Sequence, residues 1–249
     1  MTACSQIKTF QQGKDYCLYD SNEIKSFLPE MLDASYWQKE NAVTGSAQGR
    51  GTTWFVKHCD KGNTSEKHWV LRHYYRGGLI GKIINDHYWF TSQNDTRAAR
   101  EFALLDYMQN LELPAPKPIA YRVSRHGLIY AADLLSSRIE HAQDLVALLS
   151  KQPLSNGLWK KIGVTIKRFH DNNIYHHDLN AHNILIDKED NVFLIDFDRG
   201  EVRKNNQKSW QQANIARLQR SFLKEHNKLP IFHWHQDNWS ILLEGYLSH

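Results

Sequence analysis

Cysteine is scarce and ill-spaced in this chain: Cys4, Cys17 and Cys59 are an odd set without a C-x-x-C pair, which points to neither a disulfide framework nor a zinc site. A reducing compartment is the simpler expectation. Long apolar runs are missing too. Nowhere do about 18 apolar residues follow one another, and Met1 to Asp20 holds no stretch suited to a signal-peptide core, so a cytoplasmic chain without a membrane span is expected. Charge of one sign is in short supply: 31 Lys and Arg against 27 Asp and Glu leave +4 with histidine neutral, well short of a dedicated nucleic-acid binder's basic stripe. In contrast, 14 His, 8 Trp and 11 Tyr among 249 residues are a surplus of side chains with an apolar body and a polar tip, which suit nucleic acid, sugars or a membrane interface. At 41% apolar and 23% charged the chain is globular rather than disordered, with length for one large or two modest domains.

The texture changes along the chain. From Gly45 to Phe90, short runs such as Thr53-Trp54-Phe55-Val56 and His68-Trp69-Val70-Leu71 alternate with glycines and polar turns, a small antiparallel sheet. Asn94, Asp95 and Thr96 offer N-caps to a helix carrying Ala98, Phe102, Leu105 and Met108 on one face and ending before Pro114. Gly127 to Leu135 reads as a strand. Helices are predicted at Ala142 to Leu149, Leu158 to His170 and Ser209 to His226. Between them, Asn183–Asp187 and Val192–Asp196 flank the polar turn Lys188-Glu189-Asp190-Asn191, a buried hairpin inside a helical region. The division falls near residue 135: a β-rich N-terminal part at 1–135 and a helical one at 136–249.

The hairpin's flanks carry the chemistry. His176-His177-Asp178-Leu179-Asn180-Ala181-His182-Asn183 is followed, beyond the hairpin, by Asp196-Phe197-Asp198. This resembles the H-R-D-x-x-x-x-N loop and D-F-G motif of the protein-kinase-like phosphotransferases. Transfer of a phosphoryl group to a hydroxyl needs one carboxylate to orient and deprotonate the acceptor, and further oxygen donors to hold Mg²⁺ against the phosphates. The resemblance implies an α+β, bilobal protein-kinase-like fold with a β-rich N-lobe and a mainly helical C-lobe. Asp178 is then the base, Asn183 and Asp196 the metal ligands, and ATP with Mg²⁺ the cofactors.

The upstream part would hold the nucleotide. Gly45, Gly49 and Gly51 form a glycine-rich segment whose amides could cover phosphates, or a flexible hairpin turn. Glu101 is the candidate to pair with a basic side chain on a neighbouring strand. Where V-A-I-K would place a lysine, Val70-Leu71-Arg72 places an arginine, with Lys57 a less well-placed substitute. His177 replaces the loop arginine and Asp198 the glycine of D-F-G; Asp198 adds a carboxylate near the metals or, the reading we favour, caps a turn.

About ten residues separate Asp198 from the next helix and no A-P-E follows, too little for a peptide platform, so no protein substrate is expected. The run Trp69 to Lys82 interleaves bases, aromatics and glycines. Leu71-Arg72-His73-Tyr74-Tyr75-Arg76-Gly77-Gly78-Leu79, Asp178 to Leu185, Asp196 to Asp198, and the spaced Trp210, Asn214, Arg217-Leu218 and Arg220-Ser221-Phe222 resemble the 3-deoxy-D-manno-octulosonic acid (Kdo) kinases of Gram-negative bacteria. This implies ATP-dependent phosphorylation of the 4-hydroxyl of Kdo on Kdo-lipid IVA, in lipopolysaccharide core synthesis, by a peripheral protein on the cytoplasmic face of the inner membrane. That acceptor is anionic, so His73, Arg76 and Lys82 are candidate substrate contacts and an anionic membrane surface a partner; nucleic acid is not. Ile231-Phe232-His233-Trp234, Trp239 and Ile241 to Leu243 are an interfacial patch or, as we favour, core. The alternatives are another small-molecule phosphotransferase and a pseudokinase scaffold at the membrane.

Overall fold

The computed structural model describes residues 5–49, 51–60, 66–75, 87–203 and 208–248. The chain is α+β and divides into two compact units, one of residues 1–110 and 117–138, the other of residues 111–116 and 139–249.

The first unit is an antiparallel sheet whose strands run β1 (Ile7–Gln12), β2 (Asp15–Asp20), β3 (Val43–Gln48), β4 (Thr52–His58), β5 (Lys67–His73), β6 (Tyr88–Trp89), β7 (Pro118–His126) and β8 (Ile129–Ser137). Their spatial order is β1-β2-β7-β8-β5-β4-β3, with β6 paired to β8. The N-terminal hairpin β1–β2 and strand β7 were not expected from the sequence. On β5 the period-2 alternation buries Trp69 and Leu71 and turns Arg72 to the opposite face. Trp69 joins Trp37, Met31, Val56, Ile119 and Leu135 in one apolar cluster. Trp37, on α1 (Ala34–Lys39), meets Trp69 edge-on at 6.0 Å and donates Nε1–H to Met31 O at 2.7 Å. Helix α2 (Arg97–Asn110) packs Phe102 edge-on against Tyr121 at 5.4 Å. Arg122 of β7 bridges two carboxylates, 2.6 Å from Asp33 at the start of α1 and 2.8 Å from the buried Asp133 of β8.

The second unit contains β9 (Gln143–Asp144), α3 (Leu145–Leu149), α4 (Asn156–Asp171), β10 (Ile174–Tyr175), β11 (Ile184–Ile186), β12 (Val192–Leu194), β13 (Glu201–Val202), α5 (Lys208–Lys228) and α6 (Gln236–Leu247). The expected helix from Ala142 is shortened to α3, for a capping reason: the Asp144 side chain accepts from Val146 N and Ala147 N, while Gln143 and Asp144 pair with β11 as a strand. The predicted hairpin is present as β11–β12, Ile184 opposite Leu194. Phe222 of α5 lies among Trp159, Trp234 and Trp239 at 5.6, 5.7 and 6.2 Å between ring centres. Trp234, Trp239, Phe232 and Leu242 are therefore core, the reading we favoured for the C-terminal aromatics.

Helices α4 and α6 meet backbone to backbone. A Cβ at Gly163 would lie 2.0 Å from Leu242 O, and one at Gly245 2.2 Å from Lys160 O. Backbone on the far side cannot swing away, so Gly163→Ala should destabilise the protein by about 3 kcal/mol or more, read as a lower urea midpoint with an unchanged slope.

Beside that contact, buried His170 shares a hydrogen bond at Nδ1 with Tyr246 Oη, 2.7 Å away. Burial pushes its pKa down from 6.5 to about 4. Between those values the unfolded chain takes up a proton that the folded one refuses, so stability is intact above pH 6.5 and falls on acidification towards pH 4. The loss attached to His170 is roughly 3 kcal/mol at about 1.4 kcal/mol per pH unit. Urea unfolding at pH 7 and pH 4.5 should show it, and His170→Gln, which cannot take the proton, should flatten that part of the acid limb.

Candidate active site

In the first unit the expected carboxylate–cation pair is formed. The guanidinium of Arg72, on β5 opposite Thr53 and Leu134, is ion-paired with Glu101 of α2. Glu101 is 3% exposed, and its second oxygen accepts a hydrogen bond from Tyr74 Oη at 2.6 Å. Burial first, and the Glu101 charge second, hold the Tyr74 phenol well above its ordinary pKa, so it stays a donor. Arg72 also lies 5.7 Å from the centre of the Tyr74 ring. Tyr74 was missed in the sequence, because only the tertiary fold brings it to Glu101. Lys57 is engaged elsewhere, pairing with Glu66 at 3.2 Å on the surface.

Gly45 lies on β3 and Gly49 and Gly51 at the β3–β4 turn, where Gly49 N–H donates to Gly51 O at 3.0 Å. Of the three, Gly51 is the most crowded: a Cβ there would lie 2.0 Å from the Tyr75 ring, which would have to move. His73 is placed with Nδ1 2.7 Å from Asp133 Oδ1, beside the Arg122 bridge. Arg76 and Lys82 lie outside the described residues.

In the second unit, Asp178, Asn183 and Asp196 are held by one connected set of hydrogen bonds. His176 is fully buried in a polar cage: its Nδ1 accepts from Asp178 N–H at 3.1 Å, and its Nε2 lies 2.9 Å from Ile195 O. A backbone N–H can only donate and a carbonyl only accept, so the proton is on Nε2 and the ring is neutral. Burial, which lowers the His176 pKa, enforces the same state. Asn183 Nδ2 donates to Asp178 O at 2.9 Å, leaving Oδ1 as its acceptor atom. The Asn183 carbonyl accepts from Ile195 N at 3.0 Å, which puts the segment leading to Asp196 beside Asn183.

Asp196 has φ +63°, a left-handed conformation that costs a non-glycine residue about 1–2 kcal/mol. Its neighbours impose it. Ile195 is bonded on both its N–H and C=O, and Phe197, fully buried, stacks on Phe169 at 5.6 Å and lies 4.7 Å from His176. Asp198 lies in a turn closed by Gly200 N to Phe197 O at 2.7 Å. Among the described residues no group of three or more His, Cys, Asp or Glu is gathered to hold a metal. Asn183 Oδ1 and the Asp196 carboxylate are both oxygen donors, a set that fits Mg²⁺ shared with nucleotide phosphates.

Helix α5 holds this loop with a polar stripe. Asn214 accepts from His176 N at 3.3 Å and donates to His176 O at 3.0 Å. Arg217 Nη1 lies 3.2 Å from Asp178 Oδ1. Ser221 accepts from Ala181 N at 3.0 Å, and buried Glu225 lies 3.6 Å from His182 Nε2, whose Nδ1 is 3.4 Å from Asp144. Positions 214, 217, 221 and 225 recur at helical spacing, so one face reads the loop from end to end. The signal available in the sequence was polar residues, Asn214, Ser221 and Glu225, in line with apolar Leu218 and Phe222.

Residues 34–246 match the lipopolysaccharide kinase (Kdo/WaaP) family. A Vibrio vulnificus protein named 3-deoxy-D-manno-octulosonic acid kinase is 46% identical over 242 residues, covering 97% of this chain and 99% of its own. Proteins of the same name from Vibrio cholerae and Haemophilus influenzae are 43% and 42% identical, the first covering 94% of both chains, the second 95% of this chain and 98% of its own. Among solved structures, the Cydia pomonella granulovirus kinase superposes with a TM-score of 0.43 at 16% identity, over 71% of this chain and 59% of its own. With a family match over most of its length and relatives above 40% identity end to end, the chain belongs to the lipopolysaccharide kinase (Kdo/WaaP) family.

Proposed function

We propose that this phosphotransferase moves the terminal phosphoryl group of ATP to the 4-hydroxyl of Kdo on Kdo-lipid IVA, in lipopolysaccharide core synthesis. The observation that carries the substrate is the full-length likeness to proteins named 3-deoxy-D-manno-octulosonic acid kinase. The chemistry is supported by the second unit's loop. Asp178, half exposed with its backbone held by His176 and Asn183, is suited to take the acceptor hydroxyl's proton. ATP would supply the phosphoryl group, and Mg²⁺ would neutralise its developing charge. Asn183 Oδ1 and Asp196 would hold the metal. Arg72, oriented by Glu101 and Tyr74, would fork onto a nucleotide phosphate, and the amides around Gly45, Gly49 and Gly51 would lie over the phosphates. His73, Arg76 and Lys82 remain proposed contacts to the anionic acceptor.

No described helix is long and apolar enough to cross a membrane. A lipid-linked acceptor is reached by a protein docked on the bilayer surface, and we place this one peripherally on the cytoplasmic face of the inner membrane, against its anionic lipids.

Incubation with labelled ATP and Kdo-lipid IVA should label the lipid, with one phosphate found on the Kdo 4-position by mass and linkage analysis; label on another acceptor alone would overturn the reading. Asp178→Asn should lower kcat by about 10²- to 10⁴-fold while the protein stays folded. Arg72→Met removes the guanidinium paired with the buried Glu101 carboxylate, so it should lower the melting temperature and raise the KM for ATP. Lys57→Met breaks only a surface pair worth under about 1 kcal/mol and should change neither; melting curves and ATP titrations of the two variants decide between the cations.

A further inference from the structure

The catalytic loop from His176 to Asn183 contains no Lys or Arg, yet a cation stands beside its carboxylate. It comes from α5: Arg217 Nη1 is 3.2 Å from Asp178 Oδ1, the two side chains 45% and 50% exposed. Among the described residues Asp178 is the one hydrogen-bonding partner of the Arg217 side chain. A pair this exposed adds little to folding, and a guanidinium has five N–H donors, most of which this single contact leaves for a ligand. Any acceptor hydroxyl within hydrogen-bond reach of Asp178 brings its neighbouring substituents up to Arg217.

The geometry points to Arg217 as the residue that binds the carboxylate of a sugar-acid acceptor and so sets acceptor specificity. This rests on the Kdo reading above. In Kdo the carboxylate is borne by a ring carbon two bonds from the one carrying the 4-hydroxyl, so an acid gripped by Arg217 presents that hydroxyl to Asp178. The rest of α5 supports the arrangement: Asn214 and Ser221 fix the loop backbone on either side of Asp178, so base and guanidinium keep a set spacing. A neutral sugar has no group for the fork.

The test compares the wild type, Arg217→Gln and Arg217→Lys on Kdo-lipid IVA and on the same lipid with the Kdo carboxylate converted to a carboxamide. Loss of one charge-assisted contact should lower wild-type kcat/KM by about 10- to 100-fold on the carboxamide. Arg217→Gln should lose a similar factor on the natural acceptor, mainly through its KM, and little more on the carboxamide. Arg217→Lys should recover part of the loss on the carboxylate alone. Equal losses on both acceptors would assign Arg217 to Asp178 or to the phosphate and overturn the inference. A wild type that phosphorylates neither lipid would instead overturn the Kdo reading, and this inference with it.

Discussion

One buried imidazole ties together the segments that carry Asp178, Asn183 and Asp196. His176 accepts a hydrogen bond from the backbone of Asp178 and gives one to the backbone of Ile195, joining the Asp178 loop to the segment that carries Asp196. Both bonds require a neutral ring with its proton on Nε2. Burial disfavours the charged form, and the two backbone partners choose between the neutral tautomers. The left-handed Asp196 depends on this bond, because freeing Ile195 O would release the peptide that precedes it. The hairpin β11–β12 closes the same circuit covalently, so the loop and the Asp196 segment are tied by chain and by hydrogen bond.

Helix α5 supplies the outer support. Its face combines Leu218 and Phe222, packed in the core, with Asn214, Ser221 and Glu225, whose polar atoms are turned to the loop. A loop cannot satisfy its own backbone groups as a strand or helix does, and here the helix does so for His176 and Ala181. Phe222 and the tryptophans around it fix the height of α5, and α6 can deliver Trp239 only because Gly163 and Gly245 let two backbones touch. Packing far from Asp178 thus sets where Asp178 lies.

The first unit solves a different problem, that of holding a permanently charged arginine beside a buried carboxylate. Arg72 cannot shed its proton, so its position requires a partner carboxylate in a fixed place. Glu101 is fixed by burial and by Tyr74, and the cation stays oriented. The Arg122 bridge between Asp33 and Asp133, with His73 attached, plays the corresponding structural part within the sheet. His73 is thereby part of the sheet's charge network, a setting its neighbours in sequence did not reveal.

The sequence by itself determined the α+β class, the hairpin between the acidic flanks, the spacing of Asp178, Asn183 and Asp196, and Glu101 as the candidate partner of a basic side chain on a neighbouring strand, while the structure chose Arg72 over Lys57. All of these are local patterns: an alternation, a helical stripe, a fixed offset along the chain, or a strand followed by a helix. The short α3 was misjudged because Ala142 to Leu149 carries helix-forming residues throughout, while Asp144 caps the helix late and its predecessor pairs with β11. The β1–β2 hairpin, Tyr74 against Glu101, the tautomer of His176 and the reading face of α5 were decided only by the tertiary structure. Each depends on groups distant in sequence meeting in a dry interior, where an unpaired polar atom is costly enough to select its partner.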